Sequence, residues 1–223
     1  MALIIFDLDG TLVDSLQGLA VGMNKVLDEL GLPIHAHEAY KNFVGNGFEK
    51  LVEQALPYNE KHQLSTAVER MLYHYKDHYN DGLTPYDGIY KMLDDVVAQG
   101  HSIALNTNKS QAMAEVIMDD YFSTYPWVSI IGQNEEHPGK PNPMTVLQTV
   151  ELSRPTDGMV FMVGDTEVDL EVARNAGIQE VFVTWGFREL EQVAHMHAKE
   201  IIDSPIELID VIQKYRTKEE CYD

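Results

Sequence analysis

The chain has 223 residues, enough for one large domain or for a core carrying a smaller insertion. Its formal net charge of −20 argues against a general nucleic-acid binder, which needs a basic footprint to neutralise phosphates, and repels a small anionic substrate at long range. A phosphate enzyme of this composition therefore needs local compensation from a metal, lysines and backbone N–H groups.

No apolar run reaches bilayer length and no basic segment precedes Leu3, so neither a membrane partner nor a signal peptide is expected. The single cysteine, Cys221, cannot close an intrachain disulfide; it lies in a polar tail and receives no role. A reducing cytoplasm is the expected setting.

The run Leu3-Ile4-Ile5-Phe6 reads as a buried strand. Asp7-Leu8-Asp9-Gly10-Thr11-Leu12-Val13-Asp14-Ser15 follows it. Alternation at a strand end aims Asp7 and Asp9 the same way, into the crevice where open α/β sheets hold ligands. Gly10 lets the backbone turn and approach a ligand. Two carboxylates brought together repel, so they imply a cation, a shared proton or separate tasks; the competing reading is an acidic surface turn.

Asp14 or Ser15 can cap a helix, with Gln17 at the reciprocal position. Leu16, Leu19, Met23, Val26, Leu27 and Leu30 then recur at helical spacing, until Gly31 and Pro33 stop them. A second amphipathic piece covers 36–44 and breaks at Gly45-Asn46-Gly47. Phe48, Leu51, Val52, Ala55 and Leu56 open another, and Leu64, Ala67, Val68, Met71, Leu72 and Tyr75 mark one side of a long helix. Residues 15–82 thus read as all helical.

Beyond Pro85 strands and helices alternate. Strands are expected at 102–107, 128–131, 159–163, 180–184 and 200–202, with helices at 89–97, 112–117, 144–150 and 172–176 between them. That alternation predicts a parallel sheet with helices on both faces. The helical block becomes an insertion at the C-terminal end of the first strand, placed to act as a lid. Residues 214–223 read as a frayed tail.

Three further segments carry chemistry. Asn106-Thr107-Asn108-Lys109 follows a strand, where a hydroxyl and exposed N–H groups can hold phosphate oxygens; a plain helix cap at Thr107 or Asn108 is the alternative. Lys140, within His137-Pro138-Gly139-Lys140-Pro141-Asn142-Pro143, is fixed between turn-formers, with Pro141 and Pro143 opening a helix. Gly164-Asp165-Thr166-Glu167-Val168-Asp169 puts one acid at a strand end and another on the first turn of a helix. Hard oxygen ligands of this kind suit Mg²⁺, although acids also favour helix N-termini.

Taken together and in order, DLDGTLVDS, the threonine at the strand end, GKPNP and GDTxxD resemble the four motifs of the haloacid dehalogenase-like hydrolases, over Phe6 to Gly177. The resemblance implies an α/β fold: a Rossmann-like doubly wound parallel sheet core, residues 1–14 and 83–223, with an inserted all-helical cap domain, residues 15–82. It implies Asp7 as nucleophile, Asp9 as general acid and then base, Thr107 as a phosphoryl ligand and Lys140 as the cation beside Asp7. It assigns Mg²⁺ to Asp7, the backbone carbonyl of Asp9, Asp165 and Asp169, and phosphoryl orientation to N–H groups around Gly10 and Asn108.

An acid at Asp9 favours phosphoryl transfer over dehalogenation or phosphonate cleavage. The cap loop Gly45-Asn46-Gly47-Phe48 resembles that of phosphoglycolate phosphatases, implying a small phosphate ester such as 2-phosphoglycolate, with Lys41, Lys50, Asn46 and loop N–H groups as candidates for its carboxylate. Rival readings are a β-phosphoglucomutase-like phosphomutase, a phosphatase for pyrophosphate or nucleoside monophosphates, and a non-catalytic binding protein. The absence of any arginine before Arg70 counts against the mutase, whose cap must hold a second phosphate. His74 and His78, His195 and His197 are read as surface residues, and Trp185-Gly186 as packing and a turn near the site. Oligomeric state is left open.

Overall fold

Strand β1 (Leu3–Phe6) is buried along its whole length because helices cover it on both sides. Its alternation divides the core. Ile4 and Phe6 pack with apolar residues of α4 (Ile89–Ala98), α5 (Gln111–Phe122) and α9 (Leu208–Glu220), whereas Leu3 and Ile5 pack with those of α6 (Met144–Ser153) and α7 (Glu167–Ala176). Each side chain buried in this way contributes roughly 1.5–3 kcal/mol. The computed structural model describes residues 1–156 and 158–220.

β1 is flanked by β4 (Ser102–Ser110) and β6 (Val160–Gly164), outside which lie β5 (Trp127–Gln133), β7 (Gln179–Val183) and β8 (Ile201–Ile202). Among the described residues these six strands pair in parallel, in the order β5-β4-β1-β6-β7-β8. The chain leaves β1, builds one side through β4 and β5, then returns to build the other from β6. The reversal of winding falls at β1, and this is where open α/β sheets place ligands. Phe6 is in register with Leu105 and Val163, so the segments that follow all three strands emerge at one edge of the sheet.

Residues 16–78 form a second apolar cluster. It contains α1 (Leu16–Glu29), a 3₁₀ turn at His37–Asn42, α2 (Phe48–Ala55) and α3 (Leu64–His78). Leu19, Met23, Leu27, Tyr40, Val52, Ala67 and Met71 share this core. The chain enters and leaves it through an antiparallel ribbon of β2 (Val13–Asp14) and β3 (Thr84–Pro85), so both crossings lie side by side. Strands of two residues carry no readable period, so this ribbon has no signature in the hydrophobic pattern.

Two local expectations are corrected and one is narrowed. Of the two candidate caps of α1, Asp14 accepts the N–H of Leu16, whereas Ser15 at the N-cap makes no side-chain cap bond and spends its hydroxyl on Asp9. β4 does not stop at Thr107 but runs to Ser110, which takes the N-cap position of α5 in place of Thr107 or Asn108. The expected frayed tail is helical from 214 to Glu220, because α9 packs Leu208, Val211 and Ile212 into the core. Cys221 lies outside the described residues.

Candidate active site

Asp7 follows β1 directly, and its N–H donates to the Val163 carbonyl, as though continuing the strand. Asp165 follows β6, and Asp169 occupies the first turn of α7. Ligand oxygens of Asp7, Asp165 and Asp169 lie within 4.8 Å of one another, and all three residues are buried. Such a cluster of acids is costly unless cations or donors meet it. Lys140, with its side chain 1% exposed, brings its ammonium to 2.8 Å from Asp7 Oδ1 and 2.6 Å from Asp169 Oδ1. Asp165 accepts the Phe187 N–H at 2.7 Å and the Thr11 hydroxyl at 3.1 Å. Asp169 also completes a capping box, accepting the N–H and hydroxyl of Thr166. Capping and charge placement are thus served by one side chain.

Burial pushes the Asp7 carboxyl up to about 6, against the pull of Lys140. Burial and the charges of Asp169 and Asp7 raise Asp165 well above the carboxylate range. For Lys140, burial works to lower the pKa, but the carboxylates of Asp169 and Asp7 outweigh it and keep the ammonium charged. Asp7 Oδ1 makes no aligned hydrogen bond despite its contact with Lys140. A buried carboxylate oxygen with a lone pair still unspent, beside two more carboxylates, is the donor set a hard divalent cation takes. Glycines crowd this cluster. Gly10 turns at φ 84° against Asp165, and a Cβ at Gly186 would fall within 3.0 Å of both the Asp165 side chain and the Gly10 carbonyl. The acids are therefore held by close backbone approach as well as by donors.

Asp9 points elsewhere. Its carboxylate accepts Ser15 Oγ at 2.6 Å and Lys109 Nζ at 2.9 and 3.0 Å, so it stands outside the three-acid cluster. Asp7, Asp9, Thr107, Asn108, Gly45 and Gly47 line one cavity of about 50 Å³, closed on the other side by Leu19, Phe48, Leu51, Leu72 and Tyr75. Asn46 is exposed and lines a surface groove that adjoins the cavity, sharing Gly47, Phe48, Leu72, Asn108 and Ser110 with it. Asn108 has its amide engaged: it donates to the carbonyls of Gly45 and Lys140 and accepts the Lys140 N–H. It ties the loop at Gly45 to the loop carrying Lys140. Lys41 and Lys50 pair with Glu38 and Glu53 at the surface and do not reach the cavity. His74 bonds Glu29, His78 bonds Asp81, and His195 and His197 are exposed. Trp185 donates to the Thr11 carbonyl.

Three residues escaped sequence reasoning. Lys109 contacts Asp9 and the Tyr75 hydroxyl. Its place two residues beyond Thr107 on a strand was a usable signal, since both then share a face. Tyr75 was read as helix packing. Arg188 is buried and donates to the Lys41 and Val44 carbonyls and to Glu167, so it pins the segment before Gly45 to the loop of Asp165. Nothing local in the sequence announces that contact.

The comparisons agree with this geometry. The haloacid dehalogenase-like hydrolase family matches residues 4–183. A phosphoglycolate phosphatase of Aquifex aeolicus is 30% identical over 190 residues, covering 85% of this chain and 88% of its own. One of Vibrio parahaemolyticus is 28% identical, covering 94% and 95%. Among solved structures, a Lactobacillus delbrueckii subsp. bulgaricus protein superimposes with a TM-score of 0.84 at 26% identity, covering 94% of this chain and 97% of that one. A haloacid dehalogenase-like family hydrolase of Streptococcus pneumoniae gives 0.83 at 25% identity, with the same coverage. The chain belongs to the haloacid dehalogenase-like hydrolases and is an enzyme of phosphoglycolate phosphatase-like, phosphoric monoester hydrolase type.

Proposed function

We propose that this enzyme is a Mg²⁺-dependent phosphatase that hydrolyses a small phosphate monoester, 2-phosphoglycolate or a close analogue, through an aspartyl-phosphate intermediate. The observation that carries this reading is Asp7: a buried carboxylate at a strand end, flanked by Lys140 and two further acids, with Oδ1 free of any aligned donor. Asp7 attacks phosphorus, forming an acyl phosphate as the bond to the leaving oxygen breaks. Asp9, in the same cavity, gives the leaving alkoxide its proton and then takes one from the water that cleaves the Asp7–phosphorus bond. Thr107 and neighbouring N–H groups orient the phosphoryl oxygens. Asp7, Asp165, Asp169 and the main-chain carbonyl of Asp9 would hold Mg²⁺, which supplies neutralisation of charge between nucleophile and phosphate. Lys140 adds to that neutralisation from within the protein.

Residues 15–82 act in this reading as a cap domain on a core of residues 1–14 and 83–223. Its paired crossings at β2 and β3 suit a hinge, and opening would break the contacts of Arg188 with Val44 and of Asn108 with Gly45. A cavity of about 50 Å³ favours a small ester, and the cap must lift to admit one. A cytoplasmic setting fits a chain with one cysteine; among the described residues no helix is long and apolar enough to cross a membrane. The high negative charge fits a partner list of small molecules without nucleic acid. Nothing favours the mutase: Arg70 pairs with Glu29 on an exposed face, and Arg188 has its guanidinium engaged.

The test is phosphate release, with and without Mg²⁺, from 2-phosphoglycolate, β-glucose 1-phosphate, pyrophosphate, nucleoside monophosphates and an activated aryl phosphate. A Mg²⁺-dependent preference for 2-phosphoglycolate is expected. Turnover of the aryl ester alone discards the substrate. No release, with glucose 6-phosphate formed from β-glucose 1-phosphate and a bisphosphate primer, replaces the phosphatase by a mutase.

A further inference from the structure

Lys109 stands in an unusual place for a lysine. Its side chain is 6% exposed, with Nζ bonded to both oxygens of Asp9 and, at 2.8 Å, to the Tyr75 hydroxyl, and it lies 5.0 Å from the centre of the Tyr75 ring. Among the described residues it is the only cation lining the cavity shared by Asp7, Asp9 and Thr107; Lys140 is committed to Asp7 and Asp169. The cavity wall away from the acids is apolar, built by Leu19, Val44, Phe48, Leu51, Leu72 and Met113. An anionic group entering there finds one ammonium and one phenol as its side-chain donors besides the Thr107 and Ser110 hydroxyls.

We propose that Lys109 and Tyr75 form the subsite for the substrate's carboxylate, and that the carboxylate, on binding, draws the ammonium away from Asp9. This deepens the phosphoglycolate reading and rests on it. The chemistry is matched. Tyr75 accepts a hydrogen from Lys109, which leaves the phenol's own hydrogen to donate, so two donors 2.8 Å apart face a two-oxygen acceptor. Burial keeps the phenol protonated. For Lys109, burial works to lower its pKa, but Asp9 and Tyr75 outweigh it and the ammonium stays charged. The exchange is nearly balanced, one carboxylate for another on the same ammonium, and it frees Asp9 to turn toward the leaving oxygen. Tyr75 belongs to α3 and Lys109 to β4, so the subsite is complete only when cap and core are closed on each other. An ester without a carboxylate would leave Lys109 on Asp9.

The experiment compares kcat/KM for 2-phosphoglycolate and 2-hydroxyethyl phosphate, esters of similar size that differ in the carboxylate, in the wild type, K109M and Y75F. The wild type should prefer the carboxylate ester. K109M should lower that preference by roughly 10- to 100-fold, mostly through KM for 2-phosphoglycolate. Y75F, which removes one oxygen from a buried residue and adds no volume, should lower it several-fold. Equal loss on both esters in K109M would mean that Lys109 only positions Asp9, and overturns the proposal. Should K109M fail to fold, Y75F decides alone, and an unchanged preference overturns it. A wild type indifferent to the carboxylate refutes the phosphoglycolate reading itself, a result distinct from a preference that survives both substitutions.

Discussion

Replacing Lys140 by methionine removes the ammonium that stands between Asp7 and Asp169 and keeps nearly the same volume. Breaking a buried ion pair by deleting one partner costs about 3–5 kcal/mol, because the other charge is left without compensation. Here the cost depends on pH. Asp7 is already raised to about 6 by burial with Lys140 beside it, and without the ammonium its carboxyl rises further. A carboxyl whose folded pKa lies above its unfolded value destabilises the fold increasingly as pH climbs from the unfolded value to the folded one, by about 1.4 kcal/mol per unit. The wild type completes this loss near pH 6, whereas K140M goes on losing stability above it. At this chain length each kcal/mol shifts Tm by about 2–4 °C, so K140M should melt roughly 6–20 °C below wild type at pH 8. The gap should be clearly smaller at pH 5.5, and Mg²⁺ should narrow it at pH 8. Thermal melts at both pH values, in EDTA and in Mg²⁺, measure it. A deficit equal at both pH values, or none, refutes the account of Lys140 as compensation for buried acids.

Asp7→Asn should abolish phosphate release while the protein stays folded, with a Tm in EDTA at pH 8 equal to or above wild type, since a buried charge is gone; turnover retained by this variant would remove Asp7 from the nucleophile's role. In Gly186→Ala the new Cβ meets the Asp165 side chain and the Gly10 carbonyl, so the loop must shift. Half-maximal activity should then need roughly tenfold more Mg²⁺, and an unchanged titration contradicts close packing on the acid. Arg188→Met leaves the Lys41 and Val44 carbonyls and Glu167 without their donor, which should cost about 2–4 kcal/mol and speed proteolysis near residues 41–47. Unchanged cleavage there would show that the loop is held by other contacts.

The placement of the acid cluster at one sheet edge was legible because strand and motif speak together. Leu3–Phe6 and Val160–Gly164 are apolar runs that end in acids, and a parallel sheet carries those ends to one edge, which fixes Asp7 and Asp165 side by side. Lys140 and Asp169 followed from the resemblance of their loops. Contacts made across long chain separations were not legible. Ser15 has the local grammar of a helix cap, yet a tertiary acceptor, Asp9, wins its hydroxyl. Arg188 meets a carbonyl 144 positions away, with no periodicity to link them. Lys109 was hidden by a boundary: with β4 read as ending at Thr107 it belonged to a loop, and only the three further strand residues give it a face. Asn46 was singled out by the resemblance of its cap loop; the glycines on either side, both at positive φ, turn it to the surface, in a groove that adjoins the cavity.

The charge of the whole chain and the charge of the site pull in opposite directions, and kinetics can separate them. Among the described residues, Asp7, Asp9, Asp165 and Asp169 face two buried ammonium groups, Lys109 and Lys140, so four formal negatives stand against two positives. A divalent cation bound there would balance that sum, and the closed cavity would then present neither net attraction nor net repulsion to an ester. Outside it, a net charge of −20 repels an anion over the Debye length. Salt shortens this reach from about 30 Å at 0.01 M to about 10 Å at 0.1 M. Because kcat/KM contains the encounter step, its value for 2-phosphoglycolate should rise as KCl goes from about 0.01 to about 0.1 M at saturating Mg²⁺. It should rise less for 2-hydroxyethyl phosphate, which carries one charge fewer. A fall with salt would mean that a local positive field guides the substrate in, and that the balance drawn here from four acids and two lysines misses a cation at the entrance.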